Sequence, residues 1–537
     1  MVVDAKLKKV IIETDRIQAR GEPESRNMTK NVLEYLEKNA SDFPQKTAIL
    51  YGEDSLTYRE LYKNARCVGS GLAGFHLIGK PVPVLMEKGI EALEAFLGIV
   101  YAGGFYVMIN PAFPSVRQRQ IIDVLDPELI VTDETHMSQA EELLPGKAAN
   151  IKALLQGSED TDTLFNIREQ MIDTDPLYAN FTSGSTGIPK GVVVSHRSVV
   201  DFIDVFTGLF GIDQSDVIAN QAPFDFDVSV KDIYSAIKTG ATLVILPMEL
   251  FSSPARLMDE LCEKKVTTMI WAVSALCLIS SFHGLDYRTP DTVKRVLFSG
   301  EVMPKKHLKS WMEHLEQAEF VNLYGPTEIT CNCTYHRIKR DCDYENGIPI
   351  GKAFPNEHVF LLDEEKKKIE EAGITGEICV RGTALALGYY RNEAQTSERF
   401  VQNPLHSFYQ ERIYRTGDLG YFGEDKELYF CGRKDFQIKY LGHRIELEEI
   451  EAAFEKIDGV DRGCCIFDQK KERLYGFYQG NIDKKELHRQ LREILPTYMV
   501  PGLLMQVERM PLTKNGKLDR AGLMSLLQER KNKKVDK

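Results

Sequence analysis

From about Asn31 onward, apolar residues recur at helical spacing and alternate with short β-rich runs, among them residues 48–51, 82–86, 129–132 and 241–246. Strand followed by helix, repeated, predicts α/β layers with largely parallel sheets. Two more strand-like runs, 178–181 and 192–194, flank a polar segment, and a third, 428–431, precedes Gly432-Arg433-Lys434-Asp435. Beyond it the pattern predicts a charged helix over 446–456, strands over 463–467 and 473–478, and a helix around 484–495, enough for one small α+β domain. The expected organisation is a polar extension over 1–28, a large domain over 29–434 and a small domain over 435–537.

Composition narrows the function classes. A formal net charge of −12 argues against a general nucleic-acid binder. No segment approaches the roughly twenty apolar residues of a membrane span, and the first residues mix Lys, Asp and Glu around Val10-Ile11-Ile12, so neither signal peptide nor anchor is expected. The protein is expected in the cytosol, where its ten scattered cysteines would stay reduced. Cys331 and Cys333 with His336, and the adjacent Cys464 and Cys465, have no second Cys/His pair to complete a tetrahedral site, so no structural metal is expected.

The polar segment is Phe181-Thr182-Ser183-Gly184-Ser185-Thr186-Gly187-Ile188-Pro189-Lys190-Gly191. Glycines let backbone N–H groups approach an anion, hydroxyls donate without bulk, and the lysine adds a positive charge. Its spacing is not that of a Walker loop, so it reads as a phosphate loop of another kind. Further dense motifs follow one order along the chain: 56–61 (LTYREL), 226–229 (FDVS), 322–328 (NLYGPTE), 376–382 (GEICVRG), 414–419 (YRTGDL), 432–439 (GRKDFQIK) and 515–520 (NGKLDR).

This ordered series resembles the adenylate-forming superfamily, and within it the amino-acid adenylation domains of nonribosomal peptide synthetases, closest to the free-standing D-alanine–carrier protein ligases. The resemblance covers nearly the whole chain. It implies a large domain of layered α/β subdomains, a small mobile α+β C-terminal domain, ATP and Mg2+ as cofactors, and a small amino acid as substrate. The partner is expected to be a phosphopantetheinyl carrier protein on a separate chain, because the sequence ends at Lys537 without room for one. A monomer is expected, binding neither nucleic acid nor membrane.

The resemblance also assigns residues. Lys517, Thr182 and Glu328 take the catalytic positions, with Glu328 as the magnesium carboxylate. Nucleotide contacts fall on Thr182, Ser183, Gly184, Ser185, Thr186, Gly187, Lys190, Asn322, Tyr324, Thr327, Asp418, Arg433 and Lys517, with Tyr324 against adenine and Asp418 on the ribose hydroxyls. A carboxylate suits the ribose because it accepts twice and donates nothing. Asp227 is expected to hold the substrate's α-ammonium, and the pocket adds Val228, Lys231, Leu297, Ser299, Leu323, Cys331 and Asn332. Asp435 matches the hinge about which the small domain turns between half-reactions.

Ser299 stands where the D-alanine ligases usually carry cysteine, and Lys231 where a hydrophobic residue is commoner. With Lys231 reaching outward the pocket stays small and neutral, and D-alanine or L-serine is the expected substrate. With Lys231 inward, an acidic amino acid becomes the substrate. Two rivals remain at this stage: an acyl-CoA synthetase using free coenzyme A, which lacks the counterpart of Asp227, and a nucleotide-binding scaffold without catalysis.

Overall fold

The computed structural model describes residues 28–184, 187–345, 347–469, 471–511, 518–520 and 522–527. All of the N-terminal extension but Met28, together with Ser185, Thr186 and Lys517, lies outside these residues. Among the described residues no helix is long and apolar enough to cross a membrane.

The fold is mixed α/β, as the strand–helix alternation predicts. One sheet of nine strands has a parallel centre running Thr242–Ile245, Val217–Asn220, Thr268–Ala272, Arg295–Ser299 and Glu319–Tyr324. A second, of seven, aligns Pro81–Leu85, Phe105–Ile109, Ile130–Thr132 and Ala148–Asn150 in parallel. These strands read as nearly continuous apolar runs because helices cover both faces. The helix Val228–Thr239 is buried along almost its whole length.

The 56–61 motif has a local cause. Thr57 caps the helix Tyr58–Leu72 and forms a reciprocal capping box with Glu60. Tyr58, fully buried, donates from its hydroxyl towards the carbonyls of Ala236 and Ala241, at 2.8 and 2.6 Å, locking this helix onto Val228–Thr239.

A third sheet departs from the expected parallel arrangement. Its six strands, including Glu357–Leu362, Gly376–Gly382, Arg412–Phe422 and Leu428–Arg433, pair antiparallel throughout. No crossover helix intervenes between the first two of these, as a parallel pair would need.

The smaller C-terminal region begins with a hairpin, Gln437–Tyr440 and His443–Glu446. The helix Leu447–Glu455 follows, then strands Val460–Asp468 and Arg473–Gly480, the helix Lys484–Ile494 and strand Leu503–Gln506. Its core gathers Ile445, Ile450, Phe454, Cys465, Leu487 and Leu491.

Candidate active site

The parallel centre of the nine-stranded sheet ends in a row at Asn220, Ala272, Ser299 and Tyr324, and the segments leaving these carboxyl ends build a crevice, the usual ligand position of such sheets. After Tyr324 the chain turns through Gly325-Pro326 into a short 3-10 turn, Thr327–Ile329. Glycine is required there: a Cβ on Gly325 would stand 2.4 Å from the Asn332 Cα. Thr330 and Cys331 then take φ of 49° and 74°, a strained conformation for residues with side chains, held by the Thr330 hydroxyl on the Ala384 carbonyl at 2.6 Å and the Cys331 thiol on the Asp227 carbonyl at 3.1 Å.

The phosphate segment is the turn of a hairpin. Strands Pro176–Thr182 and Lys190–Ser195 pair antiparallel, setting Thr182 opposite Lys190. A Cβ on Gly184 would lie 2.0 Å from the Ile188 carbonyl oxygen, so only glycine closes this turn. The Thr182 hydroxyl and the Asn180 amide nitrogen are buried without a partner among the described residues, which fits a loop awaiting an anion. Lys190 points towards the Glu328 carboxylate at 3.9 Å and lies over the Tyr389 ring. Burial, and then the nearby Arg444 charge, lower its ammonium to about 8.

Glu328 is wholly buried. One of its oxygens accepts from the Tyr389 hydroxyl at 2.7 Å and the other from the Arg444 guanidinium at 2.6 Å. Burial alone would raise its carboxyl; the Arg444 and Lys190 charges hold it well below the usual range. A carboxylate oxygen is the donor a magnesium ion prefers, but Arg444 and Lys190 would repel a dication here, so the ion fits Glu328 only with Arg444 withdrawn.

Tyr324 donates to the Asp418 carboxylate at 2.6 Å, and Arg433 pairs with the same carboxylate. Arg433 also forks onto Asp435, at 2.6 and 2.9 Å, and Arg399 approaches Asp435 at 3.6 Å. Asn322 donates one amide N–H to the Pro349 carbonyl at 2.8 Å, which fixes its side chain at the end of its strand.

In the pocket the structure brings together Asp227, Val228, Lys231, Ser299, Cys331 and Asn332, with Leu297 and Leu323 in the underlying core. Asp227 begins the helix Val228–Thr239 but makes no side-chain cap bond, so its carboxylate is free of the task that a residue there commonly performs. Burial raises this carboxyl, partly countered by a hydrogen bond with Thr327 and by the Lys231 charge.

The outward pose expected of Lys231 is corrected. Its side chain is 1% exposed, and Nζ donates to Asn332 Oδ1 at 2.7 Å and towards Ser299 Oγ at 3.4 Å. A helix buried along this face leaves no route to solvent, and Asn332 supplies the acceptor that makes the inward pose tolerable. Burial pulls its ammonium below the usual lysine range.

Reading the sequence missed Tyr389 and Glu449, and it assigned no individual role to Lys439 or Arg444. Lys439 lies over the Tyr324 ring at 5.6 Å. His443 stacks on Tyr498 with 3.6 Å between centroids and meets the Phe226 ring edge-on, docking the C-terminal hairpin beside Asp227. The cysteine–histidine group is divided: Cys331 faces Asp227, whereas His336 lies between Glu427 and Tyr344.

Known proteins share this architecture. The profile of the AMP-binding enzyme family matches residues 36–390. The chain is 31% identical over 502 residues to bacitracin synthase 1 of Bacillus licheniformis, covering 92% of this chain but only 9% of that protein, so it spans a small part of that relative's length. It is 32% identical over 518 residues to zwittermicin A synthase ZmaJ of Bacillus cereus, covering 93% of this chain and 95% of that one. Among solved structures, holo-PA1221, an NRPS protein containing adenylation and PCP domains bound to a vinylsulfonamide inhibitor, superposes with a TM-score of 0.80 at 26% identity, over 92% of this chain and 84% of that chain. The Vibrio cholerae adenylation domain AlmE, at 21% identity and a TM-score of 0.81 over 95% and 100% of the two chains, shares the fold. With a family profile matched along most of its length and relatives aligned over nearly all of it, this chain belongs to the AMP-binding enzyme family.

Proposed function

We propose that this chain activates an amino acid with ATP and transfers it to the phosphopantetheine thiol of a carrier protein. The substrate carboxylate oxygen attacks the α-phosphorus, the bond to the β-phosphate breaks, and pyrophosphate leaves. The carrier thiolate then attacks the acyl carbon and AMP departs. The observation that carries this reading is the Asp227 carboxylate, half-buried at the crevice and excused from helix capping, where a substrate ammonium would find an anionic partner. The names of the relatives agree: two are a bacitracin synthase and a zwittermicin A synthase, and one solved relative is an NRPS protein containing adenylation and PCP domains.

In this mechanism Thr182, Ser183, Gly184 and Lys190 receive the phosphates and Tyr324 and Asp418 hold the nucleoside; with Arg444 withdrawn, Glu328 would hold magnesium, which would neutralise charge on the phosphates. Asn322, bonded to Pro349, shapes the strand beneath.

Charge balance points to the substrate. The opposite charges of Asp227 and Lys231 cancel in sum; once the substrate's α-carboxylate is esterified to AMP, its ammonium leaves the pocket one charge positive unless its side chain carries a carboxylate. Lys231 also keeps a third N–H beyond Asn332 and Ser299. The substrate we favour is a small acidic amino acid, then serine, whose hydroxyl also accepts, with D-alanine behind them. A pyrophosphate-exchange panel of both enantiomers of Ala, Ser, Cys, Asp and Glu, plus Gly, tests this. The expected result is a preference for Asp or Glu that Lys231→Met abolishes. Preference for Ala or Gly in the wild type would overturn the acidic reading, and activity with fatty acids alone would overturn amino-acid activation.

The boundary at 434/435 is proposed as the hinge. Asp435→Pro, which fixes φ, should leave exchange largely intact while carrier loading fails. Asp435→Ala separates this from loss of the Arg433 fork; equal loading by the two variants would move the hinge elsewhere.

A further inference from the structure

Next to the substrate pocket lies a buried row of polar and charged side chains that the proposed reaction does not use. Asp232 follows Lys231 on the helix Val228–Thr239 and is fully enclosed. One of its oxygens accepts from the Asn220 amide at 2.8 Å; the other has no partner among the described residues. Asn220 turns its own side-chain oxygen to the buried Lys88 ammonium at 3.3 Å, and Lys88 also donates to the Gln221 carbonyl at 2.9 Å and towards that of Ala222 at 3.4 Å. Because an ammonium only donates, Lys88 fixes the Asn220 amide with its oxygen on one side and its N–H aimed at Asp232. The charges facing each group are few. Asp232 feels Lys231 and Lys88; Lys231 feels Asp227, Asp232 and the Cys331 thiol; Lys88 feels Asp232, Asp225 and Glu249.

We infer that Asp232 is a specificity-determining positioning residue that acts through Lys231: its carboxylate competes with an acidic substrate side chain for one ammonium, and a proton on Asp232 releases Lys231 to the substrate. The inference rests on the acidic reading above and deepens it. It moves part of the choice between an acidic and a neutral side chain onto a residue outside the pocket wall. A wholly buried carboxylate with one hydrogen bond and one bare oxygen is costly to keep charged. Burial accordingly raises the Asp232 carboxyl well above the usual range, against the Asn220 bond and the two lysine charges. Below its transition Asp232 is neutral, and Lys231 favours a substrate carboxylate; above it the two carboxylates repel, and the preference for the acid falls. By linkage, the factor by which the proton favours the acid is the factor by which bound acid favours the proton.

Aspartate with asparagine, and glutamate with glutamine, differ in side-chain charge at nearly constant shape. The test measures the ratio of kcat/KM in pyrophosphate exchange, acid over amide, from about pH 6.5 to 9.5 for wild type, Asp232→Asn, Lys88→Gln and Lys231→Met. We expect the wild-type ratio to fall about fivefold or more across this range. Asp232→Asn, which keeps an acceptor for Asn220, should hold the ratio near its low-pH value throughout, and comparison of the two enzymes cancels titration of the substrates' own ammonium groups. Lys88→Gln removes a charge that favours the Asp232 anion, so the fall should move to higher pH, a readout that stands even if Asp232→Asn does not fold. Lys231→Met should give a low ratio at every pH. An equal fall in wild type and Asp232→Asn would assign the titration to Lys231 itself and overturn the inference, leaving the acidic substrate standing. A flat wild-type ratio, or equal losses on acid and amide in both Asp232→Asn and Lys88→Gln, would also overturn it. Exchange with neither acid in any of the four enzymes would overturn both readings.

Discussion

Lys517→Ala is expected to lower amino-acid-dependent pyrophosphate exchange by at least about 10²–10³-fold, the loss that follows removal of one preorganised stabiliser of developing negative charge. Transfer from a pre-made aminoacyl adenylate to the carrier thiol should stay near wild type. The separation arises because the charge this lysine would offset develops only as the carboxylate attacks phosphorus; the thiol step leaves AMP behind without bringing anionic oxygens together. Lys517 itself lies outside the described residues. Three positions on, Arg520 is fastened to the Cys465 carbonyl at 2.7 Å and to Glu451 at 3.0 Å within the C-terminal region. Rapid quench of each half-reaction measures the effect, and equal loss in both steps would remove the lysine from its assigned role.

The second large effect falls on Asp227. Replacing it with alanine leaves a substrate ammonium unpaired in a desolvated pocket that also contains Lys231, at a cost of about 2–4 kcal/mol. That corresponds to roughly 30- to 1,000-fold in kcat/KM for the amino acid. Affinity for ATP alone should fall far less than kcat/KM for the amino acid. A des-amino analogue, which brings no ammonium to Asp227, should lose far less between wild type and variant. If the amino acid and its des-amino analogue lose equally, Asp227 does not read the ammonium.

Much of this was legible before any coordinates. The β-rich runs at 48–51, 82–86, 129–132 and 241–246 all became strands, because apolar periodicity and β-branched residues act locally. The motifs mark turns and element ends where few residue types fit, as at Thr57 with its capping box or Gly325 against Asn332. What stayed hidden depends on distant partners. The direction of Lys231 is decided by Asn332, 101 positions away, and by a helix face whose burial only the assembled sheet determines. Arg444 meets Glu328 across 116 positions through a docking of the C-terminal region that no local pattern encodes. The antiparallel third sheet was folded into a general expectation of parallel layers because strand runs alone do not specify their partners.

The bond between Lys231 and Asn332 also constrains how this enzyme could acquire a different substrate. Changing Asn332 alone to an apolar residue strips a buried ammonium of its nearest acceptor, and changing Lys231 alone leaves the buried Asn332 Oδ1 without its donor. Either first step is penalised, whereas the two together exchange one self-consistent floor for another. Lineages should therefore pass between substrates here by paired replacement at 231 and 332, and single-residue searches in directed evolution should stall at these positions even where the double variant is active.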